Sequence, residues 1–170
     1  KAGPNKTEIV AADGSILLSQ NVFLKPEQFM SIFAVRKVTS DSLIYVLLLD
    51  KVNSSLLTNQ GNLKGDKAYV RFVNVVPDTL AFDLNTTLSS DTTANVPFSN
   101  ATFGSSSAFS EIKAGDYKLE LRNSNTEALL RTKNVKLEEK QLYTIWVGGL
   151  ANGTGTNAIN MNLINNTNPF

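Results

Sequence analysis

The chain has 170 residues, 42% of them apolar, with 16 basic and 15 acidic side chains and neither histidine nor cysteine. Its length allows one domain or two small ones with a real core, and a net charge of +1 offers no surplus of Lys and Arg for binding nucleic acid. Without His and Cys the usual hydrolytic triads, thiol nucleophiles, zinc, iron–sulfur and haem sites and any disulfide framework are excluded, so chemistry would rest on carboxylates, Lys, Tyr or Ser, and no cofactor is expected.

Strand signals dominate from the start. Lys6 to Val10, Ile16 to Leu18, Val22 with Met30 to Val35, and Leu43 to Leu49 supply about four strands in residues 1–50. The run Leu43 to Leu49 is the longest apolar stretch, at seven residues, far short of the about 20 a membrane helix needs. Lys1-Ala2-Gly3-Pro4 has no signal-peptide character. Residues 51–67 break the strand rhythm with Gly, Asn and Lys and read as a linker. Beyond it, Ala68 to Val75, Ala81 to Leu84, Ala108 to Ile112, Leu129 to Leu137 and Leu142 to Val147 are short runs rich in β-branched and aromatic residues. The cleanest alternation is Tyr117 to Arg122, with Tyr117, Leu119 and Leu121 on one face and Lys118, Glu120 and Arg122 on the other. Short strands separated by polar turns predict an all-β, antiparallel β-sandwich of the immunoglobulin/transthyretin-like kind. Asn, Ser and Thr make up 49 of the 170 residues while charged residues are 18%, a surface composition that suits an exported protein.

An internal repeat organises the chain. At an offset of 113, Leu17 matches Leu130, Asn21 Asn134, Val22 Val135, Leu24 Leu137, Gln28 Gln141 and Ile32 Ile145, with Phe33 opposite Trp146; at 112, Lys1-Ala2-Gly3 matches Lys113-Ala114-Gly115. The expected layout is a partial first module over 1–50, equivalent to the second half of a sandwich, the linker 51–67, and a complete module over 68–170. Half a sandwich leaves its inner face bare, Ile32, Leu47 and Leu49 included, so about 45 further residues upstream, the C-terminal domain or a second chain are the candidates to cover it. Homo-oligomerisation through the partial module is one of these. Leu137 lies six residues before Tyr143, as at a tyrosine corner, where the hydroxyl ties back to upstream backbone; Met30 replaces the Tyr in the first copy.

The segment Val70-Arg71-Phe72-Val73-Asn74-Val75-Val76-Pro77-Asp78-Thr79-Leu80-Ala81-Phe82-Asp83 resembles the R-F-V-N-x-S-P-D-A-P-A-V-D opening of domain-of-unknown-function family 4397. Lys113 to Leu119 resembles its P-A-G-x-Y-x-L turn and strand, and Val135 to Thr144 its V-x-L-E-A-G-K-x-Y-T. Gly149 to Ala158 resembles a closing loop of members from Gram-negative anaerobes. Departures are Val76 for Ser, Leu80 for Pro and Glu139-Lys140 for Ala-Gly. The resemblance implies a β-sandwich, often in tandem, in a secreted protein or outer-membrane surface lipoprotein, with any lipid anchor upstream. It carries over no catalytic residue.

Candidate sites are few. Asp78 and Asp83 could form a carboxylate pair or a calcium site, but a separation of five sends them to opposite faces, and Pro77-Asp78 reads better as turn chemistry. The glycine-rich stretch Gly148 to Thr156 lacks the Lys and helix of a phosphate loop and reads as a long hairpin loop. Trp146, the only Trp, lies opposite Tyr143, Ile145 and Val147; it is either buried at a domain junction or free to stack on a sugar. Phe98, Phe103 and Phe109 read as inward strand residues rather than a ligand patch. Ser42, Thr79 and Thr92 sit in Asp-Ser/Thr-apolar patterns that some Gram-negative anaerobes O-glycosylate; Asn53-Ser54-Ser55 and Asn100-Ala101-Thr102 also fit N-glycosylation. The expected function is a non-catalytic, exported cell-surface module for adhesion, surface assembly or glycan binding, with a surface glycan or protein as partner. The alternative is a carboxylate-based carbohydrate-active hydrolase.

Overall fold

In the computed structural model, which describes residues 3–25, 29–36, 43–51, 54–77 and 81–167, strands run through the chain. They are β1 (Gly3–Val10), β2 (Ile16–Leu24), β3 (Met30–Arg36), β4 (Leu43–Leu49), β5 (Lys67–Asn74), β6 (Phe82–Leu88), β7 (Asn95–Ala101), β8 (Ser110–Lys113), β9 (Gly115–Asn123), β10 (Leu129–Leu137), β11 (Leu142–Gly148) and β12 (Asn160–Asn165). They divide into two units, Lys1–Lys51 and Val52–Phe170. No helix among the described residues is long and apolar enough to cross a membrane.

The second unit is a β-sandwich of two four-stranded sheets, ordered β10-β9-β6-β7 and β12-β11-β5-β8. Alternation builds it: along β9, Tyr117, Leu119 and Leu121 turn inward and are buried, while the residues between them face out. Phe72, Phe82, Leu84, Leu121, Ile145 and Met161 meet between the sheets. The expected antiparallel arrangement has one exception. β5 and β11 run parallel, from Leu142 opposite Tyr69 to Val147 opposite Asn74, a pairing no hairpin can make. The Tyr143 corner forms as expected, the Glu138 N–H donating to the Tyr143 hydroxyl oxygen at 3.1 Å.

Three features depart from the sequence reading. β12 was not anticipated, and β7 only through Phe98 as an inward strand residue, without bounds: β7 contains Pro97, and Asn100 in left-handed backbone (φ 51°), with register shifts against β6, and β12 is Asn-rich, so neither shows a clean period of two. The segment 54–66, expected as linker, belongs to the second unit. It holds a short 3₁₀ turn, Ser54–Leu56, and a bridge between Leu57 and Leu63. Tyr69 anchors it, donating to the Leu56 carbonyl at 3.2 Å and accepting the Lys64 N–H at 2.8 Å; a buried tyrosine hydroxyl requires such partners. Phe98 enters the core as expected, but Phe109 lies on the outer face, with the Arg71 guanidinium 4.8 Å above its ring.

The first unit consists of two hairpins, β1–β2 and β3–β4. The Tyr45 hydroxyl on β4 donates to the Thr7 carbonyl on β1 at 3.3 Å, joining them. The pairing Gly3–Leu24, Asn5–Val22, Ile9–Leu18 repeats Gly115–Leu137, Tyr117–Val135, Leu121–Arg131. The β-bulge recurs as well: Leu17 is skipped between Leu18 and Ile16, as Leu130 is between Arg131 and Leu129. Burial does not recur, since Ile32 is 43% exposed and Ile145 is 0% exposed.

Candidate functional site

The outer face of the β6–β9 pair carries the most convergent polar groups. Asp83 pairs in register with Arg122, and Asn85 with Glu120, and alternation points all four away from the core. Asp83, Asn85 and Arg122, with Glu127 from the β9–β10 turn, line a cleft of about 290 Å³. Glu127 adopts left-handed backbone (φ 58°), and its carbonyl accepts from Arg122 Nη1 at 2.9 Å. Arg122 Nη2 donates to Glu120 Oε2 at 2.9 Å, and Lys118 Nζ reaches Glu120 Oε1 at 2.6 Å.

The Asp83 and Glu120 carboxylates are held in structural roles. Asp83 Oδ1 accepts the Asn100 N–H at 2.7 Å and the Ser124 hydroxyl at 2.6 Å, tying β7 and the β9–β10 turn to β6. Hydrogen bonds from Lys118, then Arg122, hold the Glu120 carboxyl below its ordinary range. Two buried atoms, Asn85 Oδ1 and Arg122 Nε, have no protein partner, one an acceptor and the other a donor. The arrangement can hydrogen-bond a hydroxyl-bearing ligand, but Glu120 is poorly suited to give up a proton. Burial, then the charge of Asp91, raises the Tyr117 phenol, which stays protonated and donates to the Lys113 carbonyl at 2.8 Å. Among the described residues no three acidic side chains gather as a metal site requires.

The residues singled out from sequence do not converge. Tyr143, Ile145 and Val147 are core, so Trp146 projects from the outer face of the other sheet, half-buried, its ring over Gly148, where an added Cβ would lie 2.7 Å away. Beside it on β11, the buried Thr144 accepts from Arg71 Nε at 2.8 Å and donates to Asn166 Oδ1 at 2.6 Å. Thr92 is exposed in the turn after β6. Ser42, Thr79 and Asp78 lie outside the described residues. The glycine-rich stretch is the loop joining the antiparallel pair β11–β12. Sequence reasoning found the outward Lys118-Glu120-Arg122 row but not the cleft. That required knowing that β6 lies beside β9, and only the outward Asp83 and Asn85 hinted at it.

A sequence profile for the family described as "Domain of unknown function (DUF4397)" matches residues 68–169. No curated protein matches the chain. Among solved structures it is similar to the C-terminal domain of AlgF from P. aeruginosa, at 17% identity and a TM-score of 0.37, over 59% of this chain and 98% of that one.

Proposed function

The chain belongs to the DUF4397 family, and on that premise we propose that it is a non-catalytic, exported β-sandwich module of a Gram-negative cell surface, in an outer-membrane lipoprotein or an extracellular protein. It serves adhesion, surface assembly or glycan binding, and its partner is a surface glycan or protein. The observation that carries this reading is the state of the Asp83 and Glu120 carboxylates on the outer face of the β6–β9 pair. A glycosidase needs one carboxyl kept protonated near neutral pH and a second as base or nucleophile. Here Glu120 is held ionised by Lys118 and Arg122, and Asp83 fastens a strand and a turn. What the cleft offers instead is a lining of polar side chains, Asp83, Asn85, Arg122 and Glu127, of the kind that hydrogen-bond sugar hydroxyls. The low charge and Asn/Ser/Thr-rich composition support export.

A glycan array probed with the whole chain tests the reading. The expected result is binding of at least one glycan that is recovered unchanged, with affinity falling about tenfold in Asn85→Ala. Hydrolysis of any arrayed glycan overturns it in favour of the hydrolase alternative.

A further inference from the structure

We propose that the first unit is a strand acceptor: the edges of β3 and β1 that pair with no strand among the described residues take a strand pair equivalent to β5 and β6, the first half of a DUF4397 sandwich, with its arginine seated on Ser31 and Asp50. This rests on the repeat and is independent of what the β6–β9 cleft binds.

The correspondence extends to individual hydrogen bonds. β1 and β2 copy β9 and β10 in register and bulge. The pairing of Met30 with Leu49, Ile32 with Leu47 and Val35 with Ile44 copies Tyr143 with Asn165, Ile145 with Leu163 and Gly148 with Asn160. The Asp50 N–H donates to the Phe29 carbonyl at 2.9 Å, as the Asn166 N–H does to the Leu142 carbonyl at 2.7 Å. The Ser31 hydroxyl donates to the Asp50 carboxylate at 3.0 Å, as Thr144 does to Asn166. The first unit is therefore built as the second half of a sandwich. Among its described residues no strands match β5 to β8.

The second unit shows what covers the same surfaces. β11 has β12 on one side and β5, parallel, on the other; β9 has β10 on one side and β6, antiparallel, on the other. Among the described residues β3 and β1 have only the first neighbour of each pair, and an open edge is a template for strand addition. In the second unit Phe72 of β5 lies beside Ile145, and both are buried. The matching Ile32 is 43% exposed, and Leu47 and Leu49 beside it are 44% and 52% exposed. Transferring the register places an incoming Phe beside Ile32 and, one residue before it, an Arg beside Ser31, as Arg71 lies beside Thr144. In the second unit that Arg donates to Thr144. In the first, Asp50 stands where Asn166 does, so the guanidinium would meet a carboxylate and form a charge-assisted bond. The occupant is thus an Arg-Phe-bearing strand parallel to β3, followed by an apolar-alternating strand antiparallel to β1.

The probe is a synthetic peptide of this chain's own residues 67–88, added to the full chain. Because the chain has no cysteine, Ile32→Cys makes a single reporter on the acceptor face. Saturating peptide is expected to slow thiol labelling at that position at least about tenfold and to protect the β1 and β3 amides from hydrogen exchange. Asp50→Ala, and separately a peptide with Ala in place of its Arg, should each weaken binding by about tenfold or more, while Asp50→Asn, which recreates the Thr144–Asn166 type of pair, should keep most of it. Joining residues 67–88 ahead of Lys1 through a flexible linker gives the same labelling readout whatever the peptide's solubility. Unchanged labelling in the joined chain, or binding indifferent to both Asp50→Ala and the loss of the peptide's Arg, overturns the proposal. So does protection that rises with protein concentration without peptide, which would make a second copy the occupant.

Discussion

The β1–β2 and β9–β10 hairpins are the same object in two settings. Both start at a glycine with positive φ, 123° at Gly3 and 151° at Gly115, share one register and one bulge, and carry a Lys–Glu ion pair at 2.6 Å, Lys6–Glu8 and Lys118–Glu120. The settings differ in what lies beside them. β9 has β6 along its far edge and a second sheet beneath it, whereas the far edge of β1 carries no strand among the described residues. Hairpin geometry is thus specified locally, by turn, bulge and alternation, while burial depends on strands distant in the chain.

The largest contrast should come from the core. Ile145→Ala is expected to destabilise the second unit by about 2–5 kcal/mol, read from its denaturation through Trp146 fluorescence. Ile32→Ala, at the matching position, should change protection of the β3 amides by no more than about 0.5 kcal/mol. Equal costs would mean that Ile32 is covered in solution.

A smaller contrast lies at the paired glycines. An added Cβ at Gly115 would sit 2.7 Å from Leu88 Cδ1, whereas at Gly3 nothing lies within 4 Å. Both substitutions strain the backbone, but only Gly115 also meets a side chain of β6. Gly115→Ala should therefore cost about 2–3 kcal/mol and Gly3→Ala about 1, measured by thermal melts and by hydrogen exchange of each hairpin.

The smallest effect is electrostatic. Glu120 is held below its usual value by Lys118 and Arg122, and Glu8 by Lys6. For a lowered carboxylate the stabilisation is complete above the unfolded value and is lost as pH falls through the folded one. Melting temperature should therefore drop on acidification below about pH 4.5, the ordinary glutamate value, and Glu120→Gln should flatten that drop. Glu8→Gln should do less, because Lys6 is 64% exposed and the Glu8 carboxylate has no second cationic partner among the described residues.

These pairings also show what could be read from the residues alone. The repeat was visible because identical residues recur at fixed spacing, and Tyr117 to Arg122 announced its two faces. Phe98 read as an inward strand residue, but the bounds of β7 escaped notice because Pro97 and the left-handed Asn100 interrupt its alternation, and β12 did because only Met161 and Leu163 mark its inner face among asparagines. The role of residues 54–66 depends on the Tyr69 hydroxyl, a partner that composition does not reveal. The cleft was hidden for a related reason: Asp83, Asn85 and Arg122 look like ordinary outward residues until β6 and β9 are known to be neighbours.

The parallel pairing of β5 with β11 has a kinetic consequence. β9 and β10 are joined by a short turn and can close quickly, whereas β5 opens the second unit and finds its parallel neighbour only after most of the unit has been made. Closing so long a loop is slow, and contacts of high sequence separation delay folding. The β9–β10 hairpin, whose shape recurs without any β6 beside it, is suited to act as an early nucleus. β5 then docks late, and its inward-facing Val70 and Phe72 stay uncovered while the nascent chain is still being completed.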